Sequence, residues 1–276
     1  MPDAMLGLTP RTLSYIMESP REGARLEAKT DPVVFEGQLR DTGLRQSMQV
    51  LDVGCGTGAV TRSLAKIAAP GRVVGVDIST SRLTQARELA AAHEVEVEFI
   101  EGDACRLPLS SASFDYAWSR FLFEYLPEPE RALAELARVT RLGGTVVVAD
   151  LDGQLEQFYP LEASVRADLR EGLRVLGEMG FDPQVGRKLY HWCWSAGLRD
   201  INVSVAPYQM YAGGLPERDL MNWRKKLSIA ADYLIEHTGH RERWERLRHA
   251  LLAQLRSPDL FYYCSLVTVW GKVTTT

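Results

Sequence analysis

The stretch VLDVGCGTGAV, residues 50–60, decides the fold of this chain, because it joins a buried strand pattern to a helix pattern through three glycines. Glycine at 54, 56 and 58 lets the backbone turn tightly and approach a ligand at the helix N-terminus. Gly54, Gly56 and Ala59 also satisfy the spacing of the dinucleotide-binding fingerprint. A nicotinamide or flavin oxidoreductase is therefore one alternative that the loop leaves open.

Strand and helix patterns alternate on both sides of this loop. Short β-branched runs separated by helical patterns are typical of a parallel sheet covered by helices. The predicted strands are MQVLDV (48–53), RVVGVD (72–77), VEVEFI (95–100), FDYAW (114–118), TVVVAD (145–150), INVSVAP (201–207) and FYYCSLVTVWGKV (261–273). This order predicts an α/β fold with a doubly wound, mostly parallel, seven-stranded Rossmann-like sheet.

Helical segments flank the predicted sheet on the chain. We expect an N-terminal helical cap over residues 1–44 and a cofactor-binding Rossmann-like core over 45–150. Residues 151–276 are the C-terminal part of the same domain. They contain the last two strands and lid helices at about 155–196 and 216–256, and no linker-like composition separates them from the core.

The second lid insertion is amphipathic. Trp223, Leu227 and Leu234 recur at helical spacing, and several arginines follow between Arg241 and Arg256. A basic amphipathic helix can lie on a membrane surface. We favour a lid that packs its apolar face on the core and exposes its arginines. The same surface would also serve as a contact between two copies of the chain.

Composition narrows the class of protein. The 276 residues include 46% hydrophobic and 25% charged residues, and 32 Lys plus Arg against 36 Asp plus Glu give a net charge of −4. This is a globular profile that gives no electrostatic case for nucleic acid as the main partner. No basic start with an apolar stretch and no apolar run of about 20 residues is seen. We therefore expect a cytoplasmic protein without stable membrane insertion.

The cysteines and histidines show no metal-site or disulfide spacing. The cysteines are Cys55, Cys105, Cys193 and Cys264. Their scatter suggests neither a disulfide framework nor a zinc cage, so we expect reduced thiols. His237 and His240 frame a predicted turn, and two histidines alone seldom make a metal site. We predict no metal.

Three aspartates are spaced one β-α unit apart. Asp77 follows Asp52 by 25 residues, and Asp103 follows Asp77 by 26 residues, so all three fall at carboxyl ends of predicted strands. Asp77 can accept hydrogen bonds from both hydroxyls of a ribose, and Asp103 with the Ala104 amide can bond an adenine. A fixed charge at Asp52 repels a pyrophosphate but attracts an ammonium or sulfonium. These residues predict an adenosine with a cationic tail.

Together these motifs resemble the seven-stranded, S-adenosylmethionine-dependent methyltransferases. The similarity is to the small-molecule enzymes of the ubiquinone and menaquinone methyltransferase group (methyltransferase domain types 11 and 25). It covers roughly residues 48–150, in the segments LDVGCGTG (51–58), GVDIS (75–79), EGDA (101–104), FDYAWSRFLFEYLPEP (114–129) and RLGGTVVVAD (141–150). The resemblance implies S-adenosyl-L-methionine as cofactor and S-adenosyl-L-homocysteine as product.

The resemblance also implies the residues that hold the cofactor. They are Tyr15, Arg25, Asp52, Gly54, Gly56, Asp77, Ile78, Asp103, Ala104, Ser119 and Arg120. Asp52 and the glycine loop border the methionine end, and Ser119 and Arg120 look like the sulfonium side. Tyr15 belongs to a leader helix that closes over the cofactor. Arg25 would bind the methionine carboxylate by a two-pronged hydrogen bond, or would belong to a solvated ion-pair face.

Methyl transfer depends mainly on holding the acceptor and the methyl group in line in a dry pocket, and a base is optional. The catalytic residues are therefore unknown from the sequence. The candidates are Tyr15, Glu124, Tyr159 and His191. We expect Glu124 to be an exposed helix carboxylate and His191 to be a half-buried structural histidine. The two tyrosines are expected as pocket walls.

The sequence thus predicts methyl transfer to a small apolar or aromatic acceptor on oxygen, nitrogen or carbon, in secondary metabolism. The first alternative is a relative that binds the nucleoside cofactor in a repurposed, cyclase-like or scaffold role. The second is an NAD-dependent oxidoreductase, which Asp52 and Asp103 disfavour. The expected partner is a small-molecule acceptor rather than nucleic acid, and the sequence leaves homo-oligomer formation open.

Overall fold

A computed structural model describes residues 32–178 and 180–274 of the chain. Tyr15 and Arg25, two of the expected cofactor-binding residues, lie outside the described residues. The first described helix, α1 (Pro32–Asp41), falls near the end of the segment expected as an N-terminal cap.

The described residues form one sheet. The strands are β1 (Val50–Val53), β2 (Val73–Asp77), β3 (Glu98–Glu101), β4 (Phe114–Arg120), β5 (Thr140–Asp152), β6 (Phe158–Tyr159), β7 (Leu198–Ala212) and β8 (Phe261–Val273). Their order is β3-β2-β1-β4-β5-β8-β6, with β7 also paired to β8. Strands β1 to β5 are parallel, whereas β8 runs antiparallel to β5, β6 and β7. The prediction of a doubly wound, Rossmann-like α/β sheet is confirmed, with the two-residue β6 as an additional strand.

Helices connect and cover the strands. After α1 they are α2 (Ala59–Ala68), α3 (Thr80–Ala92), α4 (Pro129–Val139), α5 (Ala163–Gly177), α6 (Leu189–Ser195), α7 (Glu217–Thr238) and α8 (Arg241–Gln254). Single turns of 3-10 helix lie at Phe123–Tyr125 and Gly186–Lys188. Helical crossovers join β1 to β2, β2 to β3 and β4 to β5, as the alternating patterns predicted, whereas residues 102–113 join β3 to β4 without a helix.

The central strands bury both of their faces. Successive strand residues point to opposite sides of a sheet, and here Trp118 joins one apolar cluster while Ala117 joins another. The cluster around Trp118 includes residues of α1, α2, α5, α7 and α8. The cluster around Ala117 includes residues of α4 and α6. This two-sided burial explains why strands such as TVVVAD read as continuous apolar runs.

The lid helices pack against the body of the domain. Helix α7 buries Trp223 and Leu227, and α8 buries Trp244 and Leu251, all in the cluster that contains Trp118. Gly239, with φ 72°, ends α7 and lets α8 turn back on it. Because the apolar faces are used within the domain, the structure favours the packed lid over a membrane-surface helix. No helix in the described ranges is long and apolar enough to cross a bilayer.

The expected half-burial of His191 is wrong. Helix α6 buries Leu189 and Cys193, which are four residues apart and share one face. His191 lies on the other face and is exposed.

The cysteines lie apart from one another in the fold. All four are buried free thiols. Over residues 32–178 and 180–274, no three His, Cys, Asp or Glu side chains are grouped so that they could hold a metal ion.

Candidate functional site

A cavity opens at the carboxyl ends of β1, β2 and β4, and we call it the edge pocket. Its lining includes Gly54, Asp77, Asp103, Arg120, Glu124 and Lys226. One wall consists of the glycine loop and the ends of β2 and β3. The remaining lining comes from the turn after β4, the segment after β5 and a side chain of α7. The cavity thus lies where ligands bind in open α/β sheets, at the carboxyl ends of the strands.

The glycine loop has the conformation that its sequence requires. Gly54, Gly56 and Gly58 all have positive φ, at 75°, 54° and 76°, a region that other residues rarely adopt. A Cβ at Gly54 would come within 3.0 Å of the Leu122 side chain. The Gly54 amide donates to the Val76 carbonyl at 2.8 Å, which ties the loop to the end of β2. The backbone can therefore lie directly against a ligand in the edge pocket.

Asp77 is fixed at the end of β2. Its Oδ2 accepts a hydrogen bond from the Gly56 amide at 2.8 Å, and its Oδ1 accepts one from the Ser79 amide at 2.9 Å. The side chain is buried and lines the edge pocket. Each carboxylate oxygen retains a further acceptor direction. This geometry suits the recognition of two neighbouring hydroxyl groups.

Asp103 lies at the next strand end, on the rim of the edge pocket. Its Oδ1 accepts from the Cys105 amide at 2.8 Å, and the carboxylate is exposed. Ala104 and Ile78 line the same part of the pocket, and Ile78 is 58% exposed. The combination of the Asp103 carboxylate, a hydrogen-bond acceptor, with the apolar Ile78 side chain suits a flat ligand such as a purine.

Asp52 does not occupy the position that the strand spacing suggested. Its carboxylate is 2% exposed, lies beneath the loop and accepts from the Thr61 hydroxyl at 2.6 Å. It is not among the residues that line the edge pocket. Burial, the largest influence, and the charge of Asp77 raise the pKa of Asp52 to about 7, although the Thr61 bond lowers it. The expected fixed charge facing the ligand is therefore replaced by a buried carboxyl that supports α2.

Arg120 and Ser119 separate at the end of β4. The Ser119 side chain is buried and donates to the Val53 carbonyl at 2.9 Å, so it holds β1 to β4 and does not line the pocket. Arg120 does line the pocket, and its guanidinium lies 5.0 Å from the Phe35 ring and 4.4 Å from the Phe121 ring. Burial lowers the pKa of Arg120. A largely desolvated guanidinium at a cavity is a ready partner for an anionic group.

Glu124 is buried, which corrects the expectation of an exposed helix carboxylate. It lies in the 3-10 turn after β4, is 3% exposed and lines the edge pocket. Its Oε2 accepts from the Gln154 amide at 3.0 Å, with that amide oriented to satisfy both of its partners. The Gln154 oxygen in turn accepts from Lys226 Nζ at 2.6 Å. The three side chains come from three segments and meet in one wall.

Asp150 supports this wall from beneath. Its Oδ2 accepts from the Glu124 amide at 3.1 Å, and its Oδ1 accepts from the Leu151 amide at 2.8 Å. The side chain is fully buried. Burial and the nearby charge of Glu124 raise the pKa of Asp150 well above its usual range, against the lowering effect of these amide bonds. Asp150 therefore fixes the turn that carries Glu124.

Two other candidates lie away from the cavity. Tyr159, expected as a pocket wall, is 72% exposed because its strand β6 alternates with buried Phe158. Neither Tyr159 nor the exposed His191 lines the edge pocket. The structure thus brings Gly54, Gly56, Asp77, Ile78, Asp103, Ala104, Arg120 and Glu124 together around one cavity.

Sequence reasoning missed Asp150, Gln154 and Lys226. Asp150 ends the strand pattern TVVVAD, so the rule that drew attention to Asp77 also applied to it. Gln154 and Lys226 have no comparable signal. They reach the edge pocket only because the segment after β5 and the lid helix fold over the turn after β4.

The fold and the site together resemble those of a known class of protein. A parallel sheet ordered 3-2-1-4-5 with an antiparallel strand beside β5, a glycine loop after β1 and an acid at the end of β2 characterise Rossmann-like S-adenosylmethionine-dependent methyltransferases. Comparison with known proteins agrees with this likeness. Residues 51–148 match the family model described as "Methyltransferase domain".

Individual proteins are also similar in sequence or fold to this chain. A demethylmenaquinone methyltransferase of Staphylococcus aureus (strain MRSA252) is 40% identical over 110 residues, which are 40% of this chain and 45% of the relative. The chain thus spans less than half the length of that curated relative. The solved structure of phosphoethanolamine N-methyltransferase 2 from Haemonchus contortus, in complex with S-adenosyl-L-methionine, has a TM-score of 0.56 at 16% identity. It covers 88% of this chain and 53% of that one.

A third similarity is to a solved structure with another activity in its name. The [4+2]-cyclase SpnF has a TM-score of 0.53 at 19% identity, over 88% of this chain and 82% of that one. At these identities the solved structures show a shared fold alone. The cyclase demonstrates that the fold is not restricted to chains named as methyltransferases.

Proposed function

We propose that this chain transfers the methyl group of S-adenosyl-L-methionine to a small apolar or aromatic acceptor. The observation that carries the proposal is the edge pocket itself. The glycine loop and Asp77 offer a nucleoside site, and Leu122, Tyr125 and Leu126 give the same cavity an apolar surface beside Glu124. A cavity with both surfaces can hold cofactor and acceptor against each other.

We assign the nucleoside end of the cofactor to the wall formed by the glycine loop and the ends of β2 and β3. Asp77 would accept from the two ribose hydroxyls, because its carboxylate is already oriented by two backbone amides. Asp103 and the Ala104 amide would bond the adenine edge, and Ile78 would cover its face. Glycine at position 54 leaves room for the Leu122 side chain, to which a Cβ would come within 3.0 Å, and so lets the loop pack beside the proposed cofactor tail. Tyr15 and Arg25 stay sequence-based proposals.

The chain's own contribution to the reaction is position and environment. When bound, S-adenosyl-L-methionine supplies an electrophilic methyl group and leaves as S-adenosyl-L-homocysteine. The apolar side chains beside Glu124 exclude water from the reacting groups, and the packed lid helix α7 contributes to the same cavity. We also propose the division into a helical cap (1–44), a cofactor-binding core (45–150) and a C-terminal part with lid helices (151–276). In this division the lid helices set acceptor specificity.

Arg120 is proposed to bind the methionine carboxylate. Its Nε lacks a hydrogen-bond partner among the described residues, and the guanidinium lies within 5.0 Å of the centroids of two aromatic rings. A charged hydrogen bond contributes about 1.5–3 kcal/mol, and 1.4 kcal/mol corresponds to tenfold in affinity. Arg120→Met keeps the apolar stem, and we expect it to weaken S-adenosylhomocysteine binding by about tenfold to a hundredfold.

Calorimetry measures this effect, and 5′-methylthioadenosine serves as the matched ligand because it lacks the carboxylate. Its affinity is expected to be the same in Arg120→Met and in the unmodified protein. An equal loss for both ligands would show that Arg120 shapes the pocket without binding the carboxylate.

A second candidate function is a cyclase-like role in which the cofactor is bound but not consumed. The similarity of fold to the [4+2]-cyclase SpnF supports keeping it. The deciding feature is whether the bound cofactor is turned over. A repurposed chain would bind S-adenosylmethionine and leave it intact with every acceptor.

The test combines binding with turnover. Calorimetric titration with S-adenosylmethionine, S-adenosylhomocysteine and NADH is expected to give binding of the first two alone. Incubation with S-adenosylmethionine and a panel of phenols, amines and carbon acids should then release S-adenosylhomocysteine, detected by mass spectrometry. Binding of NADH alone would overturn the assignment. Binding of S-adenosylmethionine without turnover across the panel would favour the cyclase-like role.

A further inference from the structure

The last two long strands of the sheet are free of charge over most of their length. Strand β7 lies largely in the stretch INVSVAPYQMYAGGLP (201–216), and β8 lies largely in LFYYCSLVTVWG (260–271). Neither stretch contains Asp, Glu, Lys or Arg, although a quarter of the whole chain is charged. Among residues 32–178 and 180–274, β7 pairs with β8 alone and so forms one edge of the sheet. Edge strands of proteins usually carry charges that prevent association, and this one does not.

The strand register sorts the side chains of this region onto two faces. Val267 and Val269 of β8 belong to the buried cluster around Ala117. Positions 261 and 263 share the face of Val267, because alternate residues of a strand point to the same side. Residues of β6 and β7 that pair with these positions lie on the same face. The exposed members of this face, which we call the open face, are Tyr159, Val203, Val205, Met210, Phe261 and Tyr263.

The open face is apolar and exposed. Its six residues are between 42% and 72% exposed, and the Phe261 and Tyr263 rings lie 5.6 Å apart. The other face of β7 carries Asn202, Ser204 and Ala206, which are small or polar and also exposed. Alternation of this kind is typical of a strand that packs one face and turns the other to water. The face that should be packed has no cover among the described residues.

The area of the open face matches that of a stable interface. An aromatic side chain has about 200 Å² of surface, and an aliphatic one has roughly 60–120 Å². At the exposed fractions given above, the open face presents about 450 Å². A standard interface buries about 800 Å² on each partner, of which about 450–520 Å² is non-polar. The open face alone therefore supplies the apolar area that a stable dimer needs.

The charge pattern selects the kind of occupant. A membrane-binding surface carries Lys or Arg that attract anionic lipids, and a charged partner needs a complementary charge. The stretches 201–216 and 260–271 offer neither. A second copy of the chain needs no charge, because a two-fold contact brings the same apolar surface from both sides.

The shape of β7 favours contact through its face. Pro207 has no N–H to donate, and the register of β7 shifts between Pro207 and Gln209. A proline and a bulge both interrupt the hydrogen-bond pattern that a further strand would need. Packing of one sheet face on another makes no such demand on the backbone.

We propose that two copies of this chain form a dimer about a two-fold axis, in which the open face of one copy packs on the open face of the other. The edge pocket has a lining made of other residues. The dimer contact therefore leaves the proposed cofactor site of each copy accessible.

Sedimentation velocity on the full chain tests the dimer. We expect twice the mass of one chain, with a dissociation constant that is micromolar or tighter. Val205→Glu should weaken association by about a hundredfold or more, because it places like charges in the contact. Ser204→Glu puts the same charge on the other face of the same strand and should leave the dimer unchanged. Equal effects of the two variants would overturn the proposal.

A second variant tests whether the contact covers the whole face. Tyr159→Glu lies on β6, at the far side of β8 from β7. It should also weaken the dimer by about a hundredfold. A dimer that is lost in Val205→Glu and kept in Tyr159→Glu would place the contact on the edge of β7 and overturn face-to-face packing. Circular dichroism checks that each variant is folded.

A protein that is monomeric at every concentration would overturn the proposal, and two measurements would then identify the cover. Flotation with vesicles of phosphatidylcholine and phosphatidylglycerol would indicate a lipid surface. A benzophenone maleimide on Met210→Cys, which is accessible whereas the four native cysteines are buried, would cross-link to residues 1–31 if they lie there. In the proposed dimer, the same probe should instead join two chains.

These readouts are independent of methyl transfer. Val205→Glu should bind S-adenosylhomocysteine with unchanged affinity, since Val205 lies outside the lining of the edge pocket. A dimer that binds no S-adenosylmethionine would reject the proposed function and keep the interface. A monomer that turns over S-adenosylmethionine would reject the interface and keep the proposed function.

Discussion

Replacing Asp77 with alanine is expected to weaken S-adenosylhomocysteine binding by roughly a thousandfold. Two hydrogen bonds from ribose hydroxyls to a charged acceptor contribute about 1.5–3 kcal/mol each, or roughly 10²–10⁴ in affinity at 1.4 kcal/mol for each factor of ten. The variant also removes the acceptor of the Gly56 and Ser79 amides. The glycine loop would then lose the bond that orders it against β2. We therefore expect a loss of affinity near the middle of this range, above its lower end.

Calorimetry with S-adenosylhomocysteine measures the loss, and circular dichroism shows whether the variant is folded. Glu98→Ala, which removes an exposed acid from the neighbouring strand β3, is the matched control and should bind normally. Asp77→Asn keeps one acceptor oxygen and should fall between the two. A folded Asp77→Ala protein with less than a tenfold loss would mean that the ribose lies elsewhere.

The fold could be predicted from the sequence because its signals are local. The loop VLDVGCGTGAV needs three residues at positive φ, and glycine is the residue that supplies them. The strand TVVVAD is apolar along its whole length because both of its faces are covered. Helix α4 shows its buried stripe as Ala132, Leu136 and Val139. Such patterns depend on residues a few positions apart.

The nucleoside end of the site could be predicted only to the level of strand ends. Spacing of one β-α unit located Asp52, Asp77 and Asp103 at the same edge of the sheet. It does not determine to which side each carboxylate points. Asp77 is drawn to the pocket side by the amides of Gly56 and Ser79, whereas Asp52 is drawn beneath the loop by Thr61. Those partners become visible only when the loop is folded.

The part of the cavity that contains Glu124 and Lys226 could not be predicted, because long-range packing creates it. Glu124 is buried by contacts with the segment after β5 and by α7, and Lys226 lies about 100 residues further along the chain. In sequence, both read as ordinary charged residues of helical segments. Tyr159 and His191 could not be placed for the same reason. Tyr159 is exposed because its strand buries Phe158 instead, and His191 is exposed because α6 buries Leu189 and Cys193.

Asp52 should make the folding stability of the chain depend on pH in an unusual direction. The pKa of this carboxyl is about 7 in the folded state, against 3.8 for the unperturbed group, mainly because of burial. An acid with a raised pKa in the folded state binds its proton more tightly there than in the unfolded chain. Its contribution to the free energy of unfolding is therefore fully present below about pH 4 and is lost as the pH rises through about 7. Between about pH 5 and pH 8, most of the loss occurs below about pH 7, over roughly two pH units. At 1.36 kcal/mol per unit, the free energy of unfolding falls by about 3 kcal/mol.

Asp52→Asn removes this titration and should flatten the dependence. Its amide oxygen can still accept from the Thr61 hydroxyl, and the neutral side chain no longer faces the charge of Asp77. Urea unfolding at about pH 5, 6, 7 and 8 should show the unmodified protein losing about 3 kcal/mol more than the variant. Asp232→Asn, an exposed position on α7, should parallel the unmodified protein. Parallel curves for Asp52→Asn and the unmodified protein would show that Asp52 stays ionised beneath the loop. Its negative charge would then act on the cavity from beneath the loop, whereas the strand spacing suggested a charge that faces the ligand directly.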